Sequence, residues 1–315
     1  GKNIIIATGS RPFKPNINGI EGKGVITTEE ALNLDKLPSK VVLAGGGAEG
    51  CEFACIYNSL GVEVSIVEMM PNLLPNEDKE IGLRLKSIFE SRGIKVFTNS
   101  KILRIEGEEG DKRVITEDGK EIRGDLVILG LGRRPNSEDI GLENLGLQTF
   151  KGRIVVNDKM ETNVKGVYAI GDVVGGGFAH EAMEEGIVAV KNILGKEARI
   201  NHYFIPKCIY TIPEVASIGL KEEEAKSKGY NISVGRFSFS ANGRALTMGE
   251  KEGFVKVILD KDSGKILGVH MLGPKVSELI VQASTEFIYP HPTLSEAFKE
   301  ALLDAKREAI HKVRV

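Results

Sequence analysis

Three cysteines in 315 residues, Cys51, Cys55 and Cys208, are too few and too unevenly spaced for the disulfide framework of a small secreted protein. No apolar run approaches the roughly 20 residues of a spanning helix, and no signal peptide is recognisable, so the expectation is a cytoplasmic protein without a membrane partner. Net charge is scarce too: 42 basic residues against 44 acidic ones leave −2, which gives no field to draw nucleic acid or an anionic lipid surface. An initiating Met is also missing. Gly1-Lys2-Asn3 runs at once into Ile4-Ile5-Ile6, which reads as a buried strand in need of neighbours. A preceding segment is therefore expected. What is present is 41% hydrophobic and 27% charged, the make-up of a globular chain long enough for two or three domains.

The periodicity predicts a doubly wound α/β unit. Val41-Val42-Leu43-Ala44 reads as a strand, residues 48 to 60 as a helix and Val62 to Glu68 as a strand. Asn76 to Arg92 reads as an amphipathic helix and Lys95 to Thr98 as another strand. Residues 102 to 128 carry turn signals such as Glu117-Asp118-Gly119-Lys120, which suggests a β-meander before the strand Leu126 to Leu129. Strands at 153–156 and 166–170 and a helix at 180–194 follow. After about residue 203 the texture becomes α+β, with strands at 209–211, 232–239 and 253–272 and helices at 220–228, 275–284 and 293–305. One internal echo stands out: Ile6-Ala7-Thr8-Gly9-Ser10-Arg11-Pro12 resembles Leu129-Gly130-Leu131-Gly132-Arg133-Arg134-Pro135. Two related nucleotide-binding domains would explain it.

Gly45-Gly46-Gly47-Ala48-Glu49-Gly50 matches G-x-G-x-x-G in the right context, after a strand and opening a helix. Gly45 permits the tight turn, Gly47 lets the backbone approach a pyrophosphate, and Gly50 allows close helix–strand packing. The helix N-terminus adds free N–H groups and a positive dipole end. Glu68 closes the next strand, where a carboxylate accepts from a ribose diol and repels a 2′-phosphate. NAD is favoured over NADP.

From Thr162-Asn163-Val164-Lys165-Gly166-Val167-Tyr168-Ala169-Ile170-Gly171-Asp172 the chain resembles the pyridine nucleotide–disulfide oxidoreductases, and this stretch is similar to their second flavin motif. That resemblance extends over essentially all 315 residues. It implies an NAD- and FAD-dependent flavoprotein in which Asp172 bonds the ribityl chain of FAD. Thr8, Gly9 and Ser10 at the A-T-G strand end, with Phe178, Ala179 and His180, would lie by the flavin. Gly132 and Glu52 would lie near the nicotinamide, and Ile102 in the adenine pocket. His291-Pro292-Thr293-Leu294-Ser295-Glu296 resembles the family's H-P-T-x-S-E motif, which implies His291 as acid–base and Glu296 as its orienting carboxylate. Such a pair suits thiol chemistry, because an imidazole near its own pKa takes and returns the proton of a thiol. Thr293-Leu294-Ser295-Glu296 also satisfies a capping box.

The implied architecture is α/β, with doubly wound nucleotide-binding domains (the FAD part truncated, the NAD domain complete) and a C-terminal α+β dimerisation domain. Its boundaries are expected at 1–36 for the end of the flavin domain and linker, and 37–136 for the NAD domain. Residues 137–203 would form the second part of the flavin domain and 204–315 the interface domain. Gly243-Arg244-Ala245 and the H-P-T-L-S-E ending point to the lipoamide branch. The resemblance there implies dihydrolipoamide on a lipoyl domain of a 2-oxoacid dehydrogenase or glycine cleavage complex as the partner. A homodimer is implied, with His291 supplied by the opposite subunit.

Several positions depart from the family. Its first flavin fingerprint and C-x-x-x-x-C pair lie upstream of the A-T-G segment and are expected in the preceding segment. Cys51 and Cys55 sit four apart on a helix and read as small buried hydrophobes, as does Cys208. Glu49 stands where the family has an aliphatic residue. The approach to His291 is short between Ser284 and Thr285. The competing reading is a non-catalytic NAD-binding and dimerisation protein, or a related flavin disulfide reductase with another small disulfide substrate.

Overall fold

A computed structural model describes residues 1–283 together with Pro290 and His291. Glu296, the expected helix 293–305 and the shortened approach at Ser284–Thr285 lie outside the described residues.

The expected doubly wound unit forms a five-stranded parallel sheet. From one edge to the other its strands are Val25–Thr27, Leu126–Leu129, Lys40–Ala44, Glu63–Val67 and Lys95–Phe97. Val41, Val42, Leu43, Ala44, Val64 and Ile66 are all buried, as strands covered on both faces require. The helices Ala48–Ser59 and Lys79–Ser91 pack against it through Phe53, Ala54, Ile81, Leu85 and Phe89. The second helix starts later than its charge pattern suggests. Asp78 caps it by accepting from Glu80 N–H at 3.0 Å, so Asn76 and Glu77 stay outside. The meander is a three-stranded antiparallel sheet, Ile102–Glu106, Lys112–Thr116 and Glu121–Gly124.

The strand Ile4–Ile6 runs parallel to Val167–Ala169 in a two-stranded sheet. It is not buried as expected: Ile4 is 49% and Ile5 37% exposed, because among the described residues only one strand covers one of its edges. The echoed segments pair with each other. Ser10–Pro12 lies antiparallel to Arg133–Pro135, with Ser10 opposite Pro135 and Pro12 opposite Arg133.

The C-terminal part is a five-stranded antiparallel sheet in the order Lys207–Ile209, Glu214–Gly219, Ile266–Gly273, Phe254–Asp260 and Ile232–Ser238. Several differences from the sequence-based expectation appear, among them an additional helix, Gly243–Met248. The strand Glu214–Gly219 was not expected, the first strand sits two residues earlier, and 253–272 is two strands joined by the turn at Lys261–Lys265.

Candidate functional site

The first cleft opens at the carboxyl ends of the parallel strands, where α/β sheets bind nucleotides. It has a volume of about 490 Å³, and Gly45, Gly47, Glu68, Ile102 and Gly132 line it. Gly45 takes φ +107, and a Cβ there would lie 2.3 Å from the Gly130 carbonyl oxygen. Gly50 is equally constrained, since a Cβ would stand 2.0 Å from Gly45 O, so helix and strand meet backbone to backbone. Gly47 differs: a Cβ would meet nothing within 4 Å, which leaves its face of the cleft open to a ligand. It is the N-cap of Ala48–Ser59 and offers no side chain, so the first N–H groups of that helix are left for an anion.

Glu68 is 5% exposed, and its carboxylate first organises the protein. Oε2 accepts from Gly46 N–H at 2.6 Å, and Oε1 accepts from Met70 N–H at 2.7 Å. Each oxygen keeps a second lone pair for a ligand hydroxyl. Glu52 does not line the cleft. Its Oε1 accepts from Tyr210 N–H at 2.7 Å, tying the helix to the C-terminal part, and burial raises its pKa. Glu49 lies between Thr28 and Arg133, with Arg133 Nη1 3.6 Å away. Sequence reasoning missed Phe13, Ile17, Met69, Met70 and Lys101 as cleft residues. Lys101 adjoins the expected Ile102 and was the one legible signal.

The ribbon of echoed strands joins this cleft to a second site. Ser10 Oγ donates to Asp172 Oδ2 at 2.5 Å, while Arg133 Nε donates to Ser10 Oγ at 2.7 Å. Thr8 Oγ1 donates to Asn136 O at 2.6 Å, and Asn136 N–H donates to Gly9 O at 2.9 Å. Asp172 sits in the turn Gly171–Val173, and the glycines at 175–177 follow it, so backbone as well as carboxylate can approach a polyol. The Phe178 and His180 rings meet in a tilted contact at 5.4 Å between centroids, and Ala179 opens the helix that carries His180. His180 is buried, with Nε2 2.7 Å from Pro206 O. That contact makes Nε2 the protonated nitrogen and Nδ1 the acceptor, and Nδ1 receives His291 N–H at 3.1 Å. His291, exposed, is thereby placed beside the segment that follows Asp172.

The cysteines behave as packing residues. Cys51 is fully buried with Sγ 3.3 Å from Gly46 O, and Cys55 Sγ accepts from Ile212 N–H at 3.3 Å. Burial pushes all three thiols up, Cys208 to about 12, so none is a thiolate near neutrality.

Residues 1–186 match the family model described as pyridine nucleotide-disulphide oxidoreductase, and residues 205–302 match that family's dimerisation domain. The chain belongs to this family. Among curated members of the pyridine nucleotide-disulphide oxidoreductases, it is 41% identical to a dihydrolipoyl dehydrogenase of Bacillus subtilis over 98% of its own length and 69% of that relative. It is 45% identical to a dihydrolipoyl dehydrogenase of Rhizobium etli, over 96% of its own length and 67% of that relative. LpdA from Mycobacterium tuberculosis superposes with a TM-score of 0.83 at 27% identity, covering 97% of this chain and 69% of that one. The HOCl-induced flavoprotein disulfide reductase RclA from Escherichia coli, solved as a Cu(II) complex, gives 0.83 at 27% identity over 95% and 73%. As in other members, a dimerisation domain follows the nucleotide-binding part, and no described helix is long and apolar enough to cross a membrane.

Proposed function

We propose that the protein is a dihydrolipoamide dehydrogenase: an oxidoreductase that oxidises the dithiol of dihydrolipoamide and delivers the electrons, by way of FAD, to NAD. The observation that carries this is the ribbon Ser10–Pro12/Arg133–Pro135, which couples the Gly45–Glu68 cleft to Asp172 through Arg133 and Ser10. Two nucleotide sites sharing one ribbon suit two cofactors that must meet. The site residues fit both groups. Gly47 leaves open space beside free helix N–H groups for a pyrophosphate, and Glu68 has lone pairs for a ribose diol. Asp172, held by Ser10, faces a glycine loop suited to a ribityl chain.

When bound, FAD and NAD supply the hydride chemistry. The protein's own residues bind, orient and move protons. Closing the lipoyl disulfide removes two electrons and two protons from the dithiol. NAD takes two electrons and one proton as hydride, and one proton is released. His291 is the base that accepts a thiol proton, and Glu296 orients its ring and raises its basicity. His180 fixes the backbone at His291 through Nδ1. The dimerisation domain makes the working form a homodimer, with a lipoyl domain of a 2-oxoacid dehydrogenase or glycine cleavage complex as the macromolecular partner.

The test is direct. Purified full-length protein is expected to be yellow and to form NADH on addition of dihydrolipoamide, and His291→Ala is expected to lower kcat/KM by about 10²- to 10⁴-fold. A colourless protein, or one that reduces glutathione disulfide or a trypanothione-like disulfide but leaves dihydrolipoamide untouched, would overturn the proposal.

A further inference from the structure

Glu181 and Glu185 lie four residues apart on the helix Ala179–Ile193, so both carboxylates project from one face. The turn His202–Phe204, capped by Asn201, brings His202 against them. His202 Nε2 is 3.2 Å from Glu185 Oε1 and 3.9 Å from Glu181 Oε1, and one ligand atom from each of the three residues lies within 4.8 Å of the others. Glu185 has no exposed side-chain surface, and Glu181 has little.

The second carboxylate oxygens are already committed. Glu185 Oε2 accepts from Gly171 N–H at 2.6 Å, and Glu181 Oε2 accepts from Gly177 N–H at 3.3 Å. Backbone donors thus fix the orientation of each carboxylate, leaving its Oε1 turned toward the imidazole, as outer contacts orient ligands in metal sites. A four-coordinate divalent ion with bonds of about 2.0–2.2 Å needs ligand atoms about 3.3–3.5 Å apart. The pair Glu185–His202 nearly has that spacing, and Glu181 Oε1, 3.9 Å from His202 Nε2, reaches it on that side by closing in about 0.5 Å. His202 is half exposed, which leaves a fourth position open to water.

We infer that Glu181, Glu185 and His202 form a binding site for a divalent transition-metal ion, with Zn²⁺ the fitting class. Two carboxylates and an imidazole suit Zn²⁺ far better than Mg²⁺, which demands an octahedron of oxygens. Two desolvated carboxylates side by side also repel each other. A divalent ion relieves that repulsion more fully than His202 does. Through Glu185 and Gly171 N–H the ion would brace the turn carrying Asp172, while leaving the nucleotide cleft itself untouched. The site stands whether or not dihydrolipoamide is the substrate.

The experiment titrates Zn²⁺ into EDTA-stripped full-length protein by calorimetry, without thiol reductant, beside Glu181→Gln and His202→Gln. Expected are one site per chain at micromolar Kd or tighter, at least a tenfold loss of affinity in each variant, and no comparable site for Mg²⁺. Melting in EDTA checks that both variants fold, and Zn²⁺ is expected to raise the Tm of the parent protein only. No saturable Zn²⁺ site in the parent protein, or an affinity that survives either substitution, would overturn the inference.

Discussion

Glu68 shows how one side chain serves the scaffold and the cleft together. Its oxygens hold Gly46 N–H and Met70 N–H, and these contacts fix the glycine turn against the cleft wall. An amide at this position offers one acceptor oxygen and presents donors to a backbone donor. Glu68→Gln is therefore expected to raise KM for NAD at least about tenfold, since hydrogen bonds to a charged group contribute roughly 1.5–3 kcal/mol. FAD content should not change, and steady-state kinetics with flavin absorbance tests both. At this scale much was readable in advance, because Gly45, Gly47, Glu68, Ile102 and Gly132 do meet in one cleft. Phe13 and Met69 were not readable, since an apolar residue after a strand looks the same whether it faces a ligand or fills a gap.

The N-terminus of the helix Lys79–Ser91 is clamped to the C-terminal sheet by charge. Lys256 Nζ, almost wholly buried, lies 2.9 Å from Asp78 Oδ2 and 2.8 Å from both Glu80 Oε1 and Glu222 Oε2. Removing it leaves buried Asp78 without its cation and takes one cation from each of Glu80 and Glu222, which keep Arg236 and Lys226. Lys256→Met is expected to destabilise by about 3–5 kcal/mol, the usual result of breaking a buried ion pair from one side. Denaturant melts would show it, and a loss under 1 kcal/mol would contradict this account. Glu80 is also forked by Arg236, whose Nε donates to Oε2 at 2.8 Å, and Arg236 with Lys256 holds its pKa down at about 2, from an ordinary 4.5. A depressed carboxylate stabilises above its unfolded pKa, so this clamp is expected to weaken as pH falls from 4.5 through about 2. Glu80→Gln should flatten that part of an acid melting series. At the other sign, Glu185 raises the pKa of His202. Its stabilising contribution, present at acid pH, is expected to fade as pH rises through that elevated value. The Tm difference from His202→Gln, measured in EDTA, should shrink accordingly. Among the elements, the strand Glu214–Gly219 and the short helix Gly243–Met248 escaped the sequence, and the strand shows why. It lies between two other strands and its interior is buried on both faces, so it shows neither alternation nor a long branched run.

Over the whole molecule the proposed chemistry needs two subunits, if the imidazole of each acts on the flavin of the other. Activity per flavin is then expected to fall in step with the dimer fraction on dilution, with sedimentation velocity reporting that fraction. Activity that stays constant into the monomer range would place His291 in service of its own chain, where its N–H already meets His180 Nδ1. The sequence alone determined the alternating α/β order, the glycine turn, the terminal acid and the family. Those signals are local: a turn, a cap or a strand end is written within a few consecutive residues. Only the tertiary structure decided that the two echoed segments pair with each other, and that Ser10 bridges Arg133 to Asp172. It alone brought Glu181, Glu185 and His202 to one point and set Lys256 against Asp78. Those contacts span from 17 to 178 residues of chain, and packing rather than local pattern selects such partners.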